Sequence, residues 1–168
     1  MDGTEVTDTL AKLRHYIHVF RNRRGWRAAL ENQCRIAEVD AYQIPLDMPV
    51  RWNSGYAMVS TSLKLRLPIT ALCASQQMDP SMRDIQLTSE DWAILEKLKR
   101  LFEIFVKPST LLQATDYPTL NMAVPLYLRM IQKLRPYKAE VGSTSAIGKA
   151  CDAAIEKLDK YYNLTASN

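Results

Sequence analysis

Glycine is scarce in this 168-residue chain, five in all, and runs of β-branched residues are few. No glycine-rich loop is available to cradle a phosphate, and no serine sits in the glycine-flanked turn that exposes a hydrolase nucleophile. Cysteine is limited to Cys34, Cys73 and Cys151, an odd number, far apart and without metal-ligand spacing. Buried, reduced thiols of an intracellular protein are the expectation, not a disulfide framework. Histidine is limited to His15 and His18. Three residues apart on one predicted helix, they could share a metal, but no Cys, Asp or Glu completes the set, and a half-exposed helix face is the preferred reading. No apolar run approaches the length of a membrane span. The polar, acidic MDGTEVTD at the start resembles neither a signal nor a transit peptide.

What the chain has in abundance is helix formers, chiefly Leu, Ala, Lys, Arg, Glu and Met. An all-α fold of about six amphipathic helices follows. Its length suits one region with a real core. Leu10, Leu13, Ile17 and Phe20 repeat at helical spacing from near Thr7, and RNRRG breaks that helix. A second helix spans Trp26 to about Val39, with Trp26, Leu30, Cys34 and Ile36 or Ala37 inward. YQIPLDMP is an extended connector, because residues before proline avoid the helical region. The pattern then predicts a third helix capped by Asn53 or Ser54, with Tyr56, Val59, Leu63 and Leu67 inward and Pro68 late enough to kink or end it. SQQMDPSMRDIQ reads as a polar loop. Thr88 and Asp91 form a capping-box pattern, flanked by Leu87 and Trp92 in staple positions. Trp92, Leu95, Leu98, Phe102 and Phe105 make the next stripe, which Pro108 should stop or bend. A turn and a Thr119 cap precede a fifth helix with Val124, Tyr127 or Leu128, Ile131 and Leu134 inward. The last helix, about 145 to 162, carries Ile147, Cys151, Ile155 or Ala154, Leu158 and Tyr162. In this reading residues 1–168 form one helical region, divided into a basic helix pair with its linker (1–48) and a further helical set (49–168).

The net charge is +4, and between residues 12 and 35 seven cations face only Glu31. Arg21, Arg23, Arg24 and Arg27 cluster at the first helix break. Phosphate contact and a solvated basic face explain them equally well. The carboxylates are scattered over helix surfaces, as at Glu90, Glu96 and Glu103, and no catalytic constellation appears. Trp52, beside Arg51, raises two readings. It could stack on a base while the guanidinium holds a phosphate, or it could be core, which is the commoner fate of a tryptophan near a helix start.

The stretch RWNSGYAMV, residues 51–59, resembles the Arg-Trp-Asn-Ser-x-Tyr-x-Met-Leu signature of hAT-superfamily DNA transposases. LTSEDWAILEKLKRLFEIF resembles that family's Ser-x-x-Asp-Trp helix, YPTLNMAVPLYLRMIQKL its Tyr-Pro-Thr-Leu segment, and AIEKLDKYYNLT its Lys-Leu-x-Lys-Tyr-Tyr helix. LAKLRHYIHVFRNRRGWRAAL fits the basic helix pair ahead of the signature. The resemblance runs in family order from about Leu10 to Thr165. Val50, Gly55 and Ser109 depart from it, each standing where the family usually has threonine.

The resemblance implies part of the helical insertion domain of an RNase H-like transposase, whose carboxylate triad binds Mg²⁺ or Mn²⁺. The two aspartates of that triad fall upstream of this stretch and its glutamate downstream. A truncated or domesticated transposase remnant is therefore expected, nuclear or nucleocytoplasmic and not itself an enzyme. No catalytic residue, metal site, cofactor, membrane association or small-molecule substrate of its own is expected. Its expected partners are transposon-end DNA, a second copy or full-length transposase. The resemblance implies base stacking by Trp52 beside Arg51. Because base capture in the family depends on an active site absent from these residues, a core role for Trp52 is preferred here. The alternatives are a protein-interaction module and a non-functional transposon-derived reading frame.

Overall fold

The structure, a computed structural model, describes residues 3–48, 52–75, 86–114 and 120–166. The described residues form seven helices and no strand. They are α1 (Gly3–Asn22), α2 (Arg24–Ile36), α3 (Trp52–Lys64), α4 (Arg66–Ala74), α5 (Ser89–Ala114), α6 (Leu120–Val141) and α7 (Ala146–Ala166). The fold is all-α. Arg51, the Thr119 cap, most of the SQQMDPSMRDIQ loop and the turn before Leu120 lie outside the described residues. The chain divides into two compact units, Val6–Glu96 and Lys97–Asn168, the latter together with Met1–Glu5. The division placed at 48/49 from the sequence falls inside the first unit.

In the Val6–Glu96 unit, α1 buries Leu13, Tyr16, Ile17, Val19 and Phe20. Glu5 in its first turn and Arg21 in its last suit the helix dipole. α2 ends in a Schellman turn. Glu38 takes the left-handed conformation at φ 54°, its N–H donates to Arg35 O, and Val39 N–H donates to Cys34 O. The helix therefore stops at Ile36, three residues before the expected end. Leu30 and Cys34 face inward, whereas Ile36, two residues out of phase with Cys34, is 66% exposed. Ala37, the other candidate, is half-buried. The connector that follows has no regular secondary structure, turns where Tyr42 N–H donates to Asp40 O, and buries Ile44.

The third predicted helix is two helices, which accounts for seven instead of six. Pro68 lacks an N–H for the Lys64 carbonyl, and its ring crowds that carbonyl. α3 accordingly ends at Lys64 and a new helix begins after Leu65. Pro68 then occupies the first turn of α4, where a missing N–H costs nothing. The buried face runs on across the break in one helical register, through Leu65, and Leu67 lies off it. Gly55, Met58, Val59 and Ser62 are buried in α3, and Pro68, Ile69 and Leu72 in α4, while Leu67, expected inward, is 70% exposed. The helix α4 packs against α2. Asn53 and Ser54 are not caps, because α3 already includes Trp52. Ser54 Oγ instead accepts from Met48 N–H at 2.8 Å and donates to Met48 O at 3.1 Å, tying the connector to the helix.

The capping box at α5 forms as patterned: Thr88 Oγ1 accepts from Asp91 N–H and Asp91 Oδ2 from Thr88 N–H. Trp92 and Leu95 are buried in this unit. In the Lys97–Asn168 unit, α5 continues through Pro108 to Ala114 instead of stopping. Thr110 Oγ1 donates to Val106 O within that turn. Leu98, Leu101, Phe105 and Pro108 are buried here. The turn at Gly142, φ 87°, joins α6 and α7 into a packed hairpin. Ser145 Oγ caps α7 by accepting Gly148 N–H at 3.0 Å. Met130, Ile131, Leu134 and Tyr137 of α6 and Ile147, Cys151 and Leu158 of α7 are buried. Leu128 is exposed, and its alternative, Tyr127, is half-buried. The Lys138–Asp152 ion pair (2.6 Å) and the Arg100–Glu140 pair add polar contacts in the same unit.

Candidate nucleic-acid interface

The junction of α1 and α2 is a single extended residue. Arg23 has φ −108° and ψ 108° and makes no side-chain cap. Its N–H closes α1 on Val19 O, and its carbonyl accepts Arg27 N–H to open α2. Two helix ends meeting at one arginine place Arg21, Arg23, Arg24 and Arg27 along a short stretch of surface, and all four are exposed. Arg27 reaches back across the break, donating from Nη2 to Arg21 O at 2.7 Å. That contact puts a cation on an end carbonyl of α1, where the helix dipole favours it.

The other basic residues nearby are used structurally. Arg14 grips Asp47 with two hydrogen bonds, Nε to Oδ1 at 2.9 Å and Nη2 to Oδ2 at 2.6 Å. The Arg14 guanidinium holds the Asp47 carboxyl below its ordinary range, against the opposing effect of burial. Lys12 pairs with Asp91 at 2.9 Å. Among the described residues, no carboxylate pairs with Arg21, Arg24 or Arg27.

Beside this junction α1, α2 and the connector enclose a pocket of about 170 Å³. Ile17, Phe20, Leu30 and Ile44 supply its apolar lining, and Arg21, Arg27, Glu31, Tyr42 and Gln43 its polar one. Cys34 also lines it, and burial pushes its thiol pKa up, so the sulfur stays a neutral thiol. On its other side, Tyr42 has the Lys64 ammonium 5.0 Å from its ring centroid. The pocket was not visible in the sequence. Its one signal is the aromatic-polar-apolar triplet Tyr42-Gln43-Ile44 inside a connector.

Trp52 opens α3 and is 55% exposed. The core reading of this residue is overturned. Trp52 shares the phase of the buried Gly55, but a helix's first position projects past the packed face, so phase does not become burial. The structure brings Arg21 and Arg27 to one concavity, whose lining does not include Trp52. Arg51 falls outside the described residues. His15 and His18 are exposed on α1, and Asn22 Nδ2 lies 3.0 Å from His18 Nδ1. Among the described residues, no group of three His, Cys, Asp or Glu is placed to hold a metal. No helix of the described residues is long and apolar enough to cross a membrane.

Comparison with known proteins adds two similarities. A family model described as the ZBED1 RNase-like helical domain matches residues 3–101. A protein of Talaromyces stipitatus named "Putative transcriptional regulator tpeD" is 26% identical over 165 residues, covering 98% of this chain. This chain spans 17% of that protein's length. No solved structure matches.

Proposed function

We propose, from the premise that the chain belongs to the ZBED1 RNase-like helical domain family, that it is a non-catalytic helical module of domesticated hAT transposase origin that contacts DNA. The observation that carries this reading is the exposure of Trp52. A large ring 55% exposed at the first turn of α3, at the position where the hAT signature places its base-stacking tryptophan, suits contact with an unpaired base. The arginines at the α1–α2 junction supply phosphate contacts. Arg51, Trp52, Arg21, Arg23, Arg24 and Arg27 make up the interface, with transposon-end DNA as its ancestral ligand and the nucleus as its place of action. A DNA-facing role also agrees with the regulator name carried by the Talaromyces relative.

The test is one pair of measurements on each variant. Trp52→Ala should cost about 1–3 kcal/mol of affinity for single-stranded DNA and little for duplex. Its melting temperature should stay within a few degrees of the parent, as befits an exposed side chain. Replacing Arg23 and Arg24 together should weaken single strand and duplex alike and flatten the salt dependence, by about one unit of log–log slope for each phosphate no longer neutralised. Unchanged affinity in both variants refutes the reading. With Mg²⁺ or Mn²⁺ the chain should neither nick nor join DNA. Cleavage abolished by substituting particular carboxylates would refute the non-catalytic assignment.

A second reading has its own observation. Ile36 and Leu67 are the most exposed large apolar side chains of the described residues, on helices that pack together. They suit a contact with a second copy or with full-length transposase. Light scattering of the chain and of an Ile36→Lys, Leu67→Lys variant distinguishes this, since only the interaction reading expects an assembly that the variant loses.

A further inference from the structure

The lining of the pocket beside the α1–α2 junction does not include Trp52, and the DNA-contact reading uses its Arg21 and Arg27 but gives the cavity between them no role. Its volume of about 170 Å³ is slightly above that of an engineered apolar cavity of about 150 Å³ that admits benzene. It is therefore large enough for one planar ring. Ile17, Leu30 and Ile44 offer that ring apolar contact. Glu31 and Gln43 add hydrogen-bond acceptors, and the Gln43 amide adds a donor. A phenyl ring offers those groups no hydrogen bond, whereas the edge of a pyrimidine base carries both N–H and C=O groups. Arg21 and Arg27 stand in the same lining. One N–H of Arg27 is committed to Arg21 O, which orders the side chain while its other donors have no partner among the described residues. Ordered, exposed guanidinium donors suit a phosphate. Arg24, exposed on the same junction, extends the positive surface beyond the pocket, as a polyanion requires and a single carboxylate does not.

We propose that this pocket binds one unpaired pyrimidine nucleotide of a nucleic-acid strand, the base on the Ile17–Leu30–Ile44 surface and its phosphate on Arg21 and Arg27. The choice of a nucleotide rests on the DNA-contact reading above; the size and charge of the pocket do not. The pocket provides a second base-sized site on the same module.

Thymidine 5′-monophosphate is the probe, titrated into the full chain and followed by the methyl resonances of Ile17, Leu30 and Ile44. Those signals should shift, saturating at about a tenfold lower concentration than with thymidine or inorganic phosphate alone, as a charge-assisted contact provides. Arg27→Ala should remove that advantage for the monophosphate and leave thymidine unchanged, with its circular dichroism and melting curve confirming the fold. N-acetylphenylalanine binding as tightly as the monophosphate would overturn the proposal in favour of a peptide carboxylate. Pocket signals that do not move also overturn it. If single-strand binding that depends on Trp52 persists in that case, the pocket reading alone has failed. If single-strand binding is absent as well, both readings have failed.

Discussion

Asp91 combines three roles in one carboxylate. It caps α5 through Thr88 N–H, accepts the Thr9 hydroxyl at 2.5 Å and pairs with Lys12. Burial works hardest on its pKa and pushes it up, but the hydrogen bonds from Thr9, Thr88 and Lys12 together outweigh burial and hold it below the ordinary 3.8. Asp47, gripped by Arg14, is lowered too. A carboxyl whose pKa is lower in the fold than in the unfolded chain stabilises the fold above its unfolded value, and that contribution disappears as pH falls through the folded value. Melting temperature should therefore be insensitive to these two groups above about pH 5 and fall progressively below about pH 4. Asp91→Asn should make the acid limb shallower. Asp91→Ala should cost about 3 kcal/mol in denaturant titration, near the low end for a broken buried pair because the Lys12 side chain is 30% exposed. Half of this constellation was legible: the Thr88–Asp91 capping box is a local pattern. Thr9 and Lys12 lie about eighty residues away, and nothing in their own neighbourhood marks them as partners of Asp91. Trp52 shows the same limit from the other side, since helical phase alone could not tell a ring at a helix end from one in the core.

The helix ends divide into those the sequence announces and those it hides. Gly142 at φ 87° and Ser145 as a cap follow residue preference. The end of α2 does not, because a glutamate occupies the left-handed position that glycine prefers. Glu38→Gly should stabilise the protein by about 1 kcal/mol, the cost that a side chain incurs there, read as a shift in denaturant midpoint at constant slope. The glycines give opposite forecasts under one substitution. A methyl group at Gly148 would stand 2.2 Å from Gly142 O, a backbone atom. Gly148→Ala should therefore cost about 1–3 kcal/mol or more as the turn and α7 are forced apart. Gly25, with nothing within 4 Å of an added Cβ, lies inside α2, and Gly25→Ala should stabilise by about 0.5–1 kcal/mol. Prolines were legible as events but not as outcomes. Pro68 breaks the helix, whereas Pro108 is carried within one. Both prolines are buried, and proline chemistry is the same at each. The packing around a helix decides whether it tolerates the missing hydrogen bond.

The family match over residues 3–101 and the compact unit Val6–Glu96 nearly coincide. A chain ending at Leu101 should accordingly fold, giving a helical circular dichroism spectrum and a cooperative melt. A broad, non-cooperative melt would show instead that this unit depends on the remainder. Helix-forming composition, 3.6-residue stripes and the order of short motifs were enough to establish an all-α protein of hAT-related ancestry, because those signals are local and survive averaging over many residues. The pocket, the commitment of Arg14 and Lys12 to distant carboxylates, and the exposure of Trp52 are different in kind. Each depends on which helix lies over which, through contacts between residues far apart in the chain. Helical periodicity states which side chains share a face, but only a packed neighbour determines whether that face is covered, paired or left open to a ligand.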